Sequence, residues 1–207
     1  SQIVSVDGQQ RLRILAEAVP SVGYKVFEVH PGAGQAFSNA AVVNGSMIEN
    51  VLYRIAVASR GAITSLIDKQ QGHREFVHNV GGRAANDLGG SAGALLVENV
   101  GPVTATLMAT ANSPIAHTSR VTLIHNSRRI DIRNEITQNF GGSALTWSFG
   151  FELADPDTWH EEVGAVIRAR LTTAGGHYSP RNARYDWLTL NHFADMSSGM
   201  LGITLSN

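Results

Sequence analysis

The sequence predicts an all-β protein, with a large antiparallel β-sandwich preceded by a small N-terminal β segment. Short apolar segments recur at intervals of roughly 8–12 residues, a spacing that favours a sandwich. Glycine accounts for 21 of the 207 residues and charged residues for only 16%, which suits a fold with many turns better than a helix bundle. A long 3.6-residue hydrophobic period, the sign of an amphipathic helix, is not evident in any segment.

Residues 1–46 predict the end of the small β segment followed by a linker. Residues 11–18 are compatible with either a strand or a short helix. Residues 23–30 alternate, with apolar groups on both faces, which predicts a strand. Residues 31–46 are small and rich in turn formers, so we interpret them as the linker and place the large domain at residues 47–207.

The large domain is expected to open with two strands, at residues 50–58 and 62–68, joined by a hairpin connection at Arg60-Gly61. The clearest strand is at residues 129–136, where a largely apolar face alternates with a charged face. Residues 81–93 contain two Gly-Gly pairs and predict a long loop, which we interpret as mobile or inter-domain. The remaining strands are predicted at residues 94–99, 103–111, 120–125, 145–153, 163–172, 185–192 and 201–205.

Charge and residue usage argue against several classes of partner. The formal net charge is −1, so the chain lacks the basic field that holds a phosphate backbone, and no nucleic-acid partner is expected. No apolar run approaches the roughly 20 residues of a membrane span, so no membrane partner is expected. Cysteine is absent and the first residues lack the pattern of a signal peptide, which leads us to expect a cytoplasmic protein.

Residues 48–77 are the most specific stretch of the sequence. They read IENVLYRIAVASRGAITSLIDKQQGHREFV, and they are followed by GPVTATL at 101–107, SRVTLI at 119–124 and RIDI at 129–132. Near the end, NHFADMSSGMLGITL occupies residues 191–205. This series of segments resembles, in the same order, the C-terminal β-domain of glycoside hydrolase family 38, the α-mannosidase family, in a bacterial member.

The resemblance implies a galactose-mutarotase-like supersandwich, excised from a longer, retaining and zinc-dependent α-mannosidase-like hydrolase and truncated at its C-terminus. It implies a non-catalytic portion that packs on its own N-terminal catalytic domain. Zinc and the catalytic carboxylates are expected in that domain, with no cofactor, catalytic residue or metal ligand in this chain. None of the 8 histidines has Asp two positions later, although His-x-Asp marks the family's catalytic domain. The chain alone is therefore expected to be inactive.

Four residues are candidates for the rim of the sugar site: Trp187, Asn191, His192 and Asp195. An aromatic side chain beside hydrogen-bonding groups suits the apolar face and the hydroxyls of a mannose-containing sugar. The alternative interpretation is that Trp187 belongs to the core and that the other three cap strand ends. The sequence departs from the family pattern here, because Ser198 stands where the family has a second acidic residue.

A second functional hypothesis is a stand-alone β-sandwich module that binds carbohydrate or another protein without chemistry. Its binding platform would be drawn from Trp147, Trp159 and Trp187. Trp147 lies in the apolar run 145–151 and is therefore expected in the core. The sequence leaves the oligomeric state, the natural substrate and the linkage open.

Two groups of acidic residues have the composition of a chemical site. His160, Glu161 and Glu162 combine ligand types that suit zinc, but neighbouring residues on a strand point to opposite faces, so an exposed turn is the favoured interpretation. Asp131 and Glu135 would lie about 13 Å apart on one face of a regular strand. That distance exceeds the carboxyl separation of a glycosidase, so a solvated charged face is favoured there.

Overall fold

The computed structural model describes residues 1–6, 8–142, 144–181 and 190–207, and across these ranges the chain is all-β, as the sequence predicts. The chain forms two compact units, Ser1–Phe151 and Glu152–Asn207. This division falls after Phe151, whereas the sequence places a boundary near Met47. No helix in the described ranges is long and apolar enough to cross a membrane.

The first unit contains antiparallel sheets of two, five and four strands within the described residues. The two-stranded sheet is a hairpin of β1 (Gln2–Val6) and β2 (Gln9–Arg13). The five-stranded sheet follows chain order and comprises β3 (Val42–Asn44), β4 (Met47–Glu49), β5 (Tyr53–Val57), β6 (Ile63–Asp68) and β7 (Arg74–Glu75). The four-stranded sheet comprises β8 (Ala94–Val100), β9 (Thr104–Ala111), β10 (His117–Ile124) and β11 (Ile130–Ile136), in the order β11-β10-β9-β8.

The five-stranded and four-stranded sheets share one hydrophobic core. Ile48, Ile55 and Val57 enter it from the first of these sheets, and Leu107 and Val121 enter it from the second. Each of these side chains is at most 2% exposed, and burying each one stabilises the fold by roughly 1.5–3 kcal/mol. In β10 buried residues alternate with half-buried ones, the pattern of a strand with one face in a core. The predicted β-sandwich is thereby confirmed, while its galactose-mutarotase-like class stays a prediction.

The hairpin predicted at Arg60-Gly61 is present between β5 and β6. The N–H of Ala58 donates to the carbonyl of Ala62 at 2.7 Å and closes the turn. Gly61 has a φ of +92°, and a Cβ added there would lie 2.4 Å from the Cβ of Ser119 in β10. The turn therefore requires glycine both for its backbone conformation and for the close approach of the neighbouring sheet.

The centre of the glycine-rich loop at 81–93 is buried in the first unit, so the expectation of a mobile or inter-domain loop is wrong there. Asn86 and Asp87 are each 1% exposed. The Asp87 carboxylate accepts two hydrogen bonds from the Arg60 guanidinium, at 2.9 and 2.7 Å, and one each from the N–H groups of Ala84 and Gly89. Burial would raise the pKa of Asp87, but these donors outweigh it and lower the pKa to about 2.

Three other local predictions differ from the structure. Residues 23–30 form no strand and are exposed throughout. Within the predicted linker, residues 42–44 form β3, which pairs with β4. Residues 145–153, predicted as a strand, make only isolated bridges to residues 77 and 87. A strand requires a partner backbone to complete its ladder, so alternation along one segment does not decide whether a strand forms.

The second unit contains one four-stranded antiparallel sheet. It comprises β12 (Asp157–Glu162), β13 (Ala165–Arg168), β14 (Phe193–Ser198) and β15 (Leu201–Ser206), in the order β13-β12-β14-β15. A short 3₁₀ helix at Thr172–Ala174 follows β13. The strand predicted at 201–205 is confirmed as β15.

The chain around β12 differs from the prediction. The segment interpreted as an exposed turn forms this strand, and the strand predicted at 163–172 begins only at residue 165. Val163 and Gly164, with φ values of +51° and +79°, form the two-residue connection of the β12–β13 hairpin. The strand predicted at 185–192 falls mostly on residues 182–189, outside the described residues.

Candidate functional site

Three of the four predicted rim residues lie in the described part of the second unit. Asn191 and His192 directly precede β14, and Asp195 lies within it. Trp187 lies outside the described residues. The strand register places Asp195 opposite Trp159 of β12, and it also places Trp159 opposite Arg168 of β13.

We call this side of the sheet the Trp159 face. Residues opposite one another, or two apart along a strand, share a face. The face is therefore assembled from two hairpins that are separated in sequence, β12–β13 and β14–β15. Its polar and aromatic members are Asp157, Trp159, Glu161, Arg168, Phe193, Asp195, Ser197, Thr204 and Ser206.

His192 and Asn191 are both fixed to Glu161 at one end of this face. His192 Nδ1 lies 2.7 Å from the Glu161 carboxylate, and the N–H of Asn191 donates to the carbonyl of Glu161 at 3.2 Å. The bond with His192, followed by the N–H of Gly164, lowers the pKa of Glu161. The side chain of His192 is 79% exposed, so its outer edge is available to a ligand.

Asp195 lies further along the face and is held by hydroxyl groups. Thr204 Oγ1 donates to its carboxylate at 2.6 Å, and the hydroxyl of Ser197 donates to its other oxygen. The side chain is half-buried opposite Trp159. Glu161 is two residues from Trp159 along β12, about 7 Å by strand rise. The structure thus places Asp195 on the Trp159 face and joins His192 to it through the Glu161 side chain, whereas Asn191 contacts Glu161 through backbone groups.

Trp159 is held in place by two side chains. The Arg168 guanidinium carbon lies 5.8 Å from the centroid of the indole ring, within the range of a cation–π interaction. His177 meets the same ring edge-on at a centroid distance of 6.1 Å. Arg168 Nη2 also donates to both oxygens of the Asp157 carboxylate, at 2.7 and 2.6 Å, which fixes the orientation of the guanidinium. The aromatic surface is therefore rigid and half-buried, with charged groups arranged around it.

This arrangement offers the groups that recognise a polar, ring-shaped ligand. An indole can pack against C–H groups, while carboxylates accept and a guanidinium donates hydrogen bonds to hydroxyls. The sequence prediction named Asp195 and, separately, Trp159, but it missed Asp157 and Arg168. Alternation of Asp157, Trp159 and Glu161 at two-residue spacing was the available signal, and it indicates a strand rather than a turn.

The opposite face of β12 carries His160, which is 0% exposed. The interpretation of residues 160–162 as an exposed turn is therefore wrong, because His160 is buried in a strand. Tyr178 Oη lies 3.1 Å from His160 Nε2 and 3.2 Å from the Glu162 carboxylate. Burial, followed by the nearby charge of Glu162, raises the pKa of Tyr178.

The proton positions in this trio follow from the available donors. Tyr178 has one hydroxyl hydrogen, and the carboxylate of Glu162 can only accept. If Tyr178 donates to Glu162, His160 donates from Nε2 to the tyrosine oxygen, and its buried Nδ1 has no partner in the described structure. The described residues contain no group of three or more His, Asp or Glu side chains that could hold a metal ion. The trio is thus a chain of hydrogen bonds.

Comparison of the sequence with protein-family models and with curated proteins finds no match.

Proposed function

We propose that this chain is the non-catalytic β-sandwich portion of a retaining, zinc-dependent α-mannosidase-like glycoside hydrolase located in the cytoplasm. The proposal is supported by the positions in the fold of the segments that resemble that family. Residues 48–77 span β4 to β7, residues 101–107 lead into β9, and residues 119–124 lie in β10. These strands share one core, so the similarity follows elements that pack together rather than scattered loops.

The Trp159 face supports a role beside a mannose-containing sugar. Trp159 supplies an aromatic surface, and Asp195 and His192 supply hydrogen-bonding groups on the same side of the sheet. Sugar recognition combines packing against the ring with directed bonds to its hydroxyls, and this face provides both. In the proposed enzyme these residues line the rim of the sugar site and the chain packs on its own N-terminal catalytic domain.

The carboxylates on this face already accept hydrogen bonds from neighbouring side chains, which suits binding better than catalysis. Asp157 is engaged by Arg168, Glu161 by His192, and Asp195 by Thr204. A retaining glycosidase needs two carboxyl groups about 5–5.5 Å apart, one of them able to attack the sugar. Carboxylates already fixed by internal donors can accept a further hydrogen bond but are poor nucleophiles. The proposal therefore assigns the nucleophile, the acid/base and zinc to the catalytic domain.

The test compares two proteins on an aryl α-mannoside. One is this chain, and the other is the full polypeptide that its gene encodes. We expect the full polypeptide to hydrolyse the substrate with retention of configuration and to lose activity when zinc is chelated. We expect the chain alone to show no turnover. Chelator-sensitive turnover by the chain alone, or an inert full polypeptide, would overturn the proposal.

A residue-level test uses the full polypeptide with Asp195→Asn. Loss of a charged acceptor at the rim should raise KM about three- to tenfold and leave kcat unchanged, since the bond is made equally in the ground and transition states. Asp155→Asn is the matched control, because the side chain of Asp155 is 94% exposed and lies outside the Trp159 face. An unchanged KM for Asp195→Asn would remove this residue from the rim.

The second candidate function is a stand-alone carbohydrate- or protein-binding β-sandwich module. It is favoured by the fact that the Trp159 face is formed within one compact unit. Quenching of tryptophan fluorescence by methyl α-mannoside, lost in Trp159→Phe, would show sugar binding by the chain itself. That result, together with a gene that encodes no glycosidase domain, would favour this function over the first.

A further inference from the structure

A cavity of about 380 Å³ lies in the first unit, between the β1–β2 hairpin and the outer face of the four-stranded sheet. Its volume is at the lower end of the range of ligand cavities, roughly 300–1,000 Å³. We call it the hairpin cavity. It belongs to a different unit from the Trp159 face, and no residue of that face lines it.

The hairpin that forms one wall of this cavity is firmly attached to the sheet. Gln2 is 8% exposed, and its side-chain oxygen accepts hydrogen bonds from the N–H groups of Val103 and Thr104, at 3.1 and 2.9 Å. Arg13 Nη1, on the paired strand, donates to Thr104 Oγ1 at 2.6 Å. Because both strands are bonded to the sheet at the same end, that end of the hairpin wall is fixed in place before any ligand arrives.

The floor of the cavity carries a pair of hydroxyl groups. Thr106 of β9 and Thr122 of β10 point outward, away from the core, and their oxygens lie 2.8 Å apart. Each hydroxyl has one hydrogen and can accept two bonds. Thr106 is 2% exposed and Thr122 is half-buried, so the hydroxyl of Thr122 is the one that can contact a ligand, while Thr106 is its hydrogen-bond partner.

The charged groups around the cavity nearly balance. Arg120 donates to Glu98 at 2.7 Å and to Glu135 at 2.5 Å, and Arg133 pairs with Glu135 at 2.5 Å. Arg13, Arg120 and Arg133 line the cavity together with Glu98 and Asp131, whereas Glu135 is outside the lining, so three guanidinium groups face two carboxylates. Asp131 pairs with Arg129, whose side chain is 75% exposed and does not line the cavity. The two lining carboxylates disfavour a multiply charged anion, and the three guanidinium groups disfavour a cation.

We propose that the hairpin cavity binds a neutral polyhydroxy molecule of monosaccharide size. Such a ligand both donates and accepts through every hydroxyl, which matches a site that presents hydroxyls, guanidinium N–H groups and carboxylate oxygens with an excess of only one positive charge. Arg120 uses two of its five N–H groups on Glu98 and Glu135, so N–H groups remain to donate. Val6, Ile14 and Leu15 line the opposite side and provide an apolar surface for C–H groups. This proposal does not rest on the proposed function, because it involves a separate unit and no chemistry.

The test measures binding of methyl α-mannoside, methyl α-glucoside and glycerol to the chain by saturation-transfer NMR and calorimetry, with inorganic phosphate and spermidine as charged probes. At least one neutral probe should bind with a dissociation constant that is roughly millimolar, as suits a small ligand held by a few hydrogen bonds. Thr122→Val should weaken this binding about three- to tenfold, since it removes one hydroxyl and keeps the side-chain shape. Thr122→Ser keeps the hydroxyl and should bind the neutral probe about as tightly as the wild type does.

Thr118→Val is the matched control. Thr118 lies on the same face of the same strand, four residues earlier, and does not line the cavity. We expect unchanged binding for Thr118→Val and for Trp159→Phe, with thermal melting curves that confirm folding of each variant. The proposal is overturned if no neutral probe binds at a concentration ten times the expected dissociation constant, or if phosphate or spermidine binds more tightly than every neutral probe. It is also overturned if Thr122→Val binds the probe as tightly as Thr118→Val does, or if Trp159→Phe abolishes binding.

Discussion

Asp87→Asn is expected to destabilise the first unit by about 2.5 kcal/mol at neutral pH. The Asp87 side chain is 0% exposed and accepts hydrogen bonds from Arg60 and from the N–H groups of Ala84 and Gly89. These donors lower the pKa of Asp87 from 3.8 to about 2, against the burial that would raise it. A difference of one pKa unit between folded and unfolded states is worth about 1.4 kcal/mol, which gives the expected magnitude.

The pH dependence of this effect has a definite sign. Because the folded-state pKa of Asp87 is the lower one, its contribution is complete above the unfolded value of 3.8 and is lost as the pH falls toward about 2. The free energies of unfolding of the wild type and Asp87→Asn should therefore differ most at neutral pH and converge in acid. Urea denaturation followed by circular dichroism, repeated across this pH range, measures the difference directly.

Asp155→Asn serves as the control for this experiment, because its side chain is 94% exposed. We expect it to change the free energy of unfolding by less than about 0.5 kcal/mol at every pH. The reasoning about Asp87 is refuted if Asp87→Asn unfolds at the wild-type urea concentration at neutral pH. It is equally refuted if the gap between the two proteins is constant from neutral pH into acid.

Three further substitutions follow from single contacts. Gly61→Ala should destabilise the first unit by about 2–4 kcal/mol, since it adds a Cβ 2.4 Å from that of Ser119 at a φ of +92°; a wild-type urea midpoint would contradict this. Arg54→Gln should raise the pKa of Glu49 above about 2, because the Arg54 hydrogen bond is the largest cause of its lowering, and NMR titration of the carboxyl carbon measures the change. Tyr178→Phe should destabilise the second unit by about 1–2 kcal/mol, because it leaves a fully buried histidine without its hydroxyl partner; unaltered thermal unfolding would argue against that bond.

Local patterns in the sequence were sufficient for several elements of the fold. The alternation at 129–136 predicts β11, and the observed strand is Ile130–Ile136. The hairpin at Arg60-Gly61 is also local, because its turn depends on one residue that can adopt a positive φ. Both predictions succeed because the information lies within a few neighbouring residues.

The candidate site was only partly predictable. The sequence predicts Asn191, His192, Asp195 and Trp159 as candidate binding residues, but the common face of Trp159 and Asp195 follows from the register of β14 on β12. That register pairs Trp159 with Asp195, which lies 36 positions later in the chain. No local sequence pattern specifies a pairing between such distant residues. The exposed turn predicted at residues 160–162 is wrong for the same reason.

The sequence by itself determined the all-β class, the turn glycines and most strands of the first unit, since side-chain alternation and positive-φ turns are properties of short segments. Only the tertiary structure decided which polar groups are buried. Asp87 is a loop residue by composition, and it is buried because Arg60, 27 positions earlier, neutralises it. His160 stands in a polar stretch of sequence, and it is 0% exposed because Tyr178 and the pairing of β12 enclose it. Burial of a charged or polar group depends on partners distant in the chain, so it becomes visible only when the strands are assembled.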